Sequence, residues 1–276
     1  MQRILLAVLF LVVLCGPRVV AQTREFNQTA ALEPGGTLVF ETDKGSVKLT
    51  AWERREVAIY ARIEPAENTE ADYARRSVEA ARIDISGDAR TLFVRSNFDD
   101  VPTITERFGG WSRRTPNIHY EIKAPRELNL RLNADRSRVH AQGFTGKLSF
   151  ETDRSPLEAR ELAGDVQIKV DRGEVRLDAL RGSLNLNTDR TNIRANGLSI
   201  EGDSRINVSR GEAELSVPAS QALSVSARTG RRESFESDFA LTTRSLNKEL
   251  IEGTINGGGP RLSVEGDRSK VYLRKQ

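Results

Sequence analysis

The feature that most constrains this chain is a short phrase that returns between Leu130 and Val217: LRLNADRSRV, LSFETDRSPL, VQIKVDRGEV, LNLNTDRTNI and a weaker SRINVSRGEA. Asp135, Asp153, Asp171 and Asp189 hold the same place in the first four copies, each 18 residues after the last. Self-similarity at a fixed short period marks units that bury their apolar faces only by stacking on one another. Leu130 and Leu132, Leu148 and Phe150, Val166 and Ile168, and Leu184 and Leu186 precede the Asp in alternation. Val139 and Ala141, Leu157 and Ala159, Val175 and Leu177, and Ile193 and Ala195 follow it. Period-two spacing turns these residues to one face and Arg131, Ser149, Gln167 and Asn185 to the other. Phe144, Leu162, Leu180 and Leu198 add a further inward position, and Gly143, Gly146, Gly164 and Gly182 mark a second corner. The expected fold is all-β: a right-handed single-stranded β-solenoid (β-helix) with the repeat length of 18 residues as its coil.

The first corner is Asp-Arg followed by Ser137, Ser155, Gly173 or Thr191. An Asp that folds its carboxylate onto the following backbone, and a glycine at positive φ, both suit such a turn. Strands stacked about 4.8 Å apart would align equal positions into columns. Asp135, Asp153, Asp171 and Asp189 would then run beside Arg136, Arg154, Arg172 and Arg190, whose charge offsets theirs. Two uses remain open for this stripe: turn chemistry with solvated charge, or a surface for a charged ligand or calcium.

Residues 1–21 read as a signal peptide, with Arg3, an apolar run from Ile4 to Cys15, a Gly16-Pro17 breaker and Ala21 before the expected cut. The apolar run is shorter than the roughly 20 residues of a membrane span, and no later stretch approaches that length. Cys15 is the only cysteine and follows Leu14, where lipid attachment requires a small residue. Cleavage therefore removes disulfides, thiolate catalysis and cysteine metal sites from consideration. Lys and Arg number 42 against 39 Asp and Glu, and the leader takes Arg3 and Arg18 with it. A nearly neutral mature chain argues against nucleic acid as a partner.

The mature chain reads as one continuous domain, with residues 22–125 as an N-terminal part and 126–276 as the repeat body. A first copy of the repeat lies at Leu38, Phe40, Asp43-Lys44-Gly45, Val47 and Leu49, and a last at Leu262, Val264, Asp267-Arg268-Ser269, Val271 and Leu273. The chain thus closes as it began. Between Asn68 and Arg82 the period shifts to a helical one, with Ala71, Ala74, Val78 and Ala81 on one side, and Asn68 or Thr69 is the expected N-cap. This short helix is expected to cap an end of the stack. Residues 97–116 form a long irregular stretch. In it Trp111, Arg113 and Arg114 beside Phe108-Gly109-Gly110 would suit a sugar ring or an acidic partner.

The order HYEIKAPRELNLRL, then phrases such as VDRGEVRL, then INGGGPRLSVEGDRSKVYL, resembles the bacterial putative-adhesin family of exported domains of unknown function. The resemblance covers most of the mature chain from Gly36 onward. It implies an exported β-solenoid body without established catalytic residues. Gly45, Gly173, Gly211 and Gly230 match the family's small-residue turn, whereas Ser137, Ser155, Thr191 and Ser269 depart from it.

His119 and His140 are the only histidines and lack metal-ligand spacing. There is no GxSxG, no Walker loop and no GxGxxG after a strand, and the serines have no evident base. No cofactor is expected. The expected function is a non-catalytic, adhesin-like binding or scaffolding module of the bacterial cell envelope, periplasmic, surface-held or secreted. Its partner would be an envelope polymer or protein, met through the Asp-Arg stripe or the Trp111 loop. Two alternatives stand beside it: a polysaccharide lyase-like β-helix that uses the Asp and Arg columns, and a purely structural envelope protein.

Overall fold

The computed structural model describes residues 23–105, 111–228, 234–246 and 250–276. The expected signal peptide with Cys15, the tripeptide Phe108-Gly109-Gly110, and Gly230 lie outside them.

Strand β1 (Arg24–Ala31) opens the described chain, and β2 (Thr37–Thr42) and β3 (Gly45–Trp52) form a first rung around the Asp43-Lys44 corner. The chain then returns through β4 (Glu56–Glu64), helix α1 (Ala71–Ala80), β5 (Arg82–Gly87) and β6 (Thr91–Asn97). A small hairpin, β7 (Ile104–Thr105) with β8 (Trp111–Ser112), precedes β9 (Asn117–Pro125). The repeats supply β10 (Asn129–Asp135), β11 (Ser137–Gln142), β12 (Thr145–Asp153) and β13 (Leu157–Ile200). After them come β14 (Ser204–Ser209), β15 (Glu212–Val217), β16 (Leu223–Arg228) and β17 (Ser234–Ser237). Strands β18 (Thr242–Leu246), β19 (Leu250–Ile255), β20 (Arg261–Asp267) and β21 (Lys270–Lys275) complete the chain.

Two ladders, joined at the corners, enclose one apolar core that runs from Leu32 to Leu273. Along the first, β5, β6, β2, β10, β12, β13, β14, β20, β16, β19 and β18 are successive neighbours. Along the second the order is β1, β4, β9, β3, β11, β13, β15, β21 and β17. The alternating apolar positions of the repeats are buried, among them Leu130, Leu132, Val139, Ala141 and Phe144.

The architecture corrects the expectation of a right-handed single-stranded β-solenoid with uniform 18-residue coils. The 19 strands of the main sheet are mixed in direction. Antiparallel pairs lie at both ends: β1–β4, β4–β9 and β5–β6 at one, β16–β19 and β18–β19 at the other. One strand, β13, passes through its corners without a break for 44 residues. Leu130 pairs with Leu148, but Asn185 pairs with Arg205, Ser204 with Leu262, and Asn129 with Thr37. The physical reason is edge management. A stack of parallel strands leaves unpaired N–H and C=O groups at each end, and an antiparallel strand, reached by a short connection at β5–β6 and β18–β19 and from farther along the chain in the other pairs, covers them. At the β5–β6 turn Asp88 accepts the amides of Arg90 at 2.8 Å and Thr91 at 2.9 Å, which lowers its carboxyl pKa below the usual value.

Spatial order also departs from chain order. The last two strands, β20 and β21, are inserted between β14–β15 and β16–β17 rather than lying at an edge. At the other end β2 lies between β6 and β10. Helix α1 links β4 of the second ladder to β5 of the first and sends Val78 into the common core. It begins at Ala71, later than its sequence signals, and has no side-chain cap. Asn68 instead takes φ 54° and the Thr69 hydroxyl donates to the Ala66 carbonyl.

Rungs stack closely enough to dictate residue size at the second corner. A Cβ on Gly164, whose φ is +107°, would lie 2.3 Å from the Gly146 carbonyl oxygen. No side chain fits there.

Candidate binding surfaces

The Asp-Arg corner is built differently from the turn expected. The Arg, not the small residue, takes the left-handed conformation, with φ of 47° at Arg136, 50° at Arg154, 60° at Arg172 and 50° at Arg190. A side chain in this region costs about 1–2 kcal/mol. The following small residue turns inward, which is why Ser137, Ser155 and Thr191 are buried. Their hydroxyls donate to the carbonyls of Asp135, Asp153 and Asp189. The Ser155 hydroxyl also accepts the Ser137 amide of the neighbouring rung at 2.9 Å. Space between rungs, not positive φ, selects the small residue.

The outward Asp and Arg side chains form one alternating chain of ion pairs. Arg136 bridges Asp43 at 2.6 Å and Asp135 at 3.0 Å. Arg154 joins Asp135 to Asp153, Arg172 joins Asp153 to Asp171, and Arg190 joins Asp171 to Asp189, at 3.0–3.5 Å. Arg210 closes the series with two bonds to Asp189 at 2.7 and 2.9 Å. Partial burial tends to raise the Asp189 carboxyl, but the Arg210 hydrogen bonds and the charges of Arg190 and Arg210 prevail and hold it low. The Asp43 hydrogen bond raises the Arg136 guanidinium. Every carboxylate in the stripe thus already faces guanidinium, which leaves little for calcium or a charged ligand.

Arg113 and Arg114 do not join this stripe. Arg113 donates to the Phe98 carbonyl at 3.1 Å, and Arg114 donates through Nη1 to the Asn68 carbonyl at 2.9 Å. The Arg114 amide donates to the Tyr73 hydroxyl, which itself donates to the Pro102 carbonyl. These contacts tie the loop to helix α1. Trp111 lies with its backbone in β8, paired to Thr105.

Sequence reasoning gave the outward positions of the first ladder no role beyond facing away. There the structure has a shallow trough of about 800 Å³, lined from Thr37, Val39 and Glu41 across Asn129, Arg131 and Asn133 to Ser149 and Gln167. Register explains its composition. Phe93 pairs with Val39, Val39 with Arg131, Arg131 with Ser149, and Ser149 with Gln167, one outward residue on each of five adjacent strands. A smaller hollow of about 350 Å³ continues it over Phe93, which is 45% exposed. The pattern was visible as alternation, but the row Phe93, Val39, Arg131 forms only through the out-of-order placement of β2.

The serines do gain a base in three dimensions. Ser46 Oγ lies 2.9 Å from His119 Nδ1, and His119 Nε2 lies 3.3 Å from Glu64. A proton on Nε2, facing the carboxylate, makes Nδ1 the acceptor of the Ser46 hydroxyl. Strand β3 is paired on both sides, to β9 and β11, so its amides are committed to ladders and form no oxyanion hole around Ser46. Among the described residues no group of three or more His, Cys, Asp or Glu is placed to hold a metal ion.

No protein-family model matches the chain, and no curated protein matches it. Similar solved structures include a "putative adhesin" from Bacteroides fragilis NCTC 9343, 14% identical with a TM-score of 0.43, covering 92% of this chain and 98% of that one. A "putative lipid binding protein" from Parabacteroides distasonis ATCC 8503 is 10% identical with a TM-score of 0.39, covering 91% and 97%. A "putative cell adhesion protein" from Clostridium sporogenes ATCC 15579 is 11% identical with a TM-score of 0.34, covering 92% and 100%. At these identities and scores the likeness carries no argument about what this chain binds.

Proposed function

We propose that the chain is an exported, non-catalytic binding module of a bacterial cell envelope, and that it binds through the outward trough of the first ladder. One contrast carries this reading. At the corner each guanidinium is committed to carboxylates, whereas the side chains of Arg131 and Lys147 in the trough have no hydrogen bond or ion pair among the described residues. An exposed aromatic ring stands at the end of the same row. Unspent polar groups beside an apolar anchor are what a binding surface requires. Export rests on the reading of residues 1–21. Among the described residues no helix is long and apolar enough to cross a membrane.

The test is retention of residues 22–276 on whole-cell envelope fractions, with and without calcium. The expected result is retention that calcium does not alter and that Phe93→Ala with Arg131→Ala removes. Absence of retention on every fraction would overturn the reading.

A further inference from the structure

We infer that the trough binds an uncharged, hydroxyl-rich glycan chain lying across the strands, an assignment of ligand class that rests on the binding-module reading above. The first ground is charge. Acidic and basic groups share the trough, and two of its three acids, Glu41 and Glu151, are paired with cations at its margin. Glu41 faces Arg95 at 3.6 Å, Glu151 faces Lys169 at 2.6 Å, and Asp165 accepts the Ser183 hydroxyl at 2.9 Å. With Arg131 and Lys147 set against Asp165, the surface carries no large excess of either sign. A polyanion or polycation would gain little long-range attraction here and would meet like charge along its length.

The second ground is the chemistry of the row. Arg131, Ser149 and Gln167 present guanidinium, hydroxyl and amide groups; the guanidinium donates to hydroxyls, and the other two both donate and accept. Phe93 and Val39 form an apolar platform at one end of that row. An aromatic platform followed by paired donors and acceptors matches a pyranose, with its apolar C–H face and its rim of hydroxyls. The third ground is direction. Five in-register strands carry the row over roughly 19 Å at the usual strand spacing, long enough for a short oligosaccharide laid perpendicular to the strands. A protein partner would instead seek a larger apolar centre, and the one large exposed hydrophobic side chain among the described residues is Phe93.

The test uses residues 22–276 in calorimetric titrations with cellohexaose, mannohexaose and xylohexaose as neutral probes, and oligogalacturonate and an alginate oligomer as acidic ones. The expected result is saturable binding of at least one neutral probe, tighter than either acidic probe. Phe93→Ala should weaken it about tenfold or more, as expected for an anchor residue, and Gln167→Ala should weaken it less. Both positions are exposed, and thermal melts verify that the variants fold. Arg172→Gln, at the corner, should leave affinity unchanged. Binding of the acidic probes alone, through Phe93 and Arg131, would overturn the neutral-glycan inference and leave the trough as the binding surface. Binding indifferent to Phe93→Ala and Gln167→Ala would overturn both. Failure of all five probes, with envelope retention still sensitive to Phe93→Ala and Arg131→Ala, would overturn the ligand class only.

Discussion

The middle of the molecule and its two ends obey different rules. In the middle, each copy of the repeat lies against the next, and parallel partners such as Leu148 and Val166 hold equal positions in successive copies. At the ends the neighbours come from distant parts of the chain or run antiparallel. Strand β2 lies between β6 and β10, and β20 lies between β14 and β16. Periodicity therefore locates neighbours only where nothing is inserted between copies. Where segments are inserted, edge satisfaction and core closure decide the order.

The largest expected effects are at glycines, and they depend on what each glycine is stacked against. In the middle, Gly164→Val places a Cβ against the Gly146 carbonyl in a backbone conformation that L side chains avoid. It should destabilise by about 3 kcal/mol or more, combining backbone strain with overpacking. Gly257, between β19 and β20, has φ +86°, but a Cβ added there would meet no atom within 4 Å, so Gly257→Ala should cost only about 1–2 kcal/mol. Urea midpoints of the two variants give the comparison directly, and equal losses would remove the distinction between a corner stacked against its neighbouring rung and an open turn.

Next in size are the buried serines that follow the corner Arg. Ser155→Ala takes the acceptor from the Ser137 amide and should cost about 1–3 kcal/mol. Ser269 holds the same place in the last copy, yet its buried hydroxyl has no hydrogen-bond partner among the described residues. Ser269→Ala should therefore be neutral within about 0.5 kcal/mol, or stabilising. Chemical denaturation separates the two outcomes. A large loss at Ser269 would mean that the last copy is built like the central ones.

Much of this was legible in the sequence, and the limits are physical. The all-β class and the buried face followed from alternation, because a strand's side chains must divide between two sides. Helix α1 followed from the change of period. The mixed sheet was not legible, since antiparallel pairing at the ends depends on which distant strand covers an edge, and nothing local encodes it. At the corner the sequence offered Asp, Arg and a small residue, but not which of them would take positive φ. Hydroxyl bonds to the Asp carbonyls within each corner and close stacking of rungs settled that, and the stacking requires the neighbouring rung to be present. For the surface, Asp135 and Arg136 drew attention because they repeat, whereas Phe93, Arg131 and Gln167 meet only after folding. Ser46 and His119 likewise carry no spacing signal.

Acid should expose a smaller effect at the boundary between middle and end. Asp189, paired with Arg190 and Arg210, and Asp238, which accepts the Lys275 amide and pairs with Arg274, both have lowered carboxyl pKa values. Their contribution is fully present above the unfolded carboxylate value of about 4 and is lost as pH falls through the lower folded value. Unfolding followed by circular dichroism from pH 6 to pH 2 should show stability declining below about pH 4, with a shallower decline in Asp189→Asn. An unchanged slope in that variant would contradict the ion-pair account of the corner.

The smallest effect belongs to a single exposed link of the corner chain. Arg172→Gln should cost at most about 1 kcal/mol, and less at high salt, because its partners are solvent-accessible and Arg154 and Arg190 remain. Thermal melts at low and high salt measure it. A loss several times larger would make the stripe, rather than the stacked core, the main support of the rungs.

The most direct test of the whole account is the order of the strands that make the trough, read by disulfide trapping in residues 22–276, which lack cysteine. Neighbouring strands bring paired Cα atoms to about 4.8 Å, within disulfide reach, whereas positions two strands apart lie near roughly 10 Å, outside it. With Val39 between Phe93 and Arg131, the pairs Val39→Cys with Phe93→Cys and Val39→Cys with Arg131→Cys should both oxidise. The pair Phe93→Cys with Arg131→Cys should remain reduced. Ready closure of that last pair, with failure of Val39→Cys to Arg131→Cys, would put the strands in simple chain order and contradict both the fold and the surface built on it.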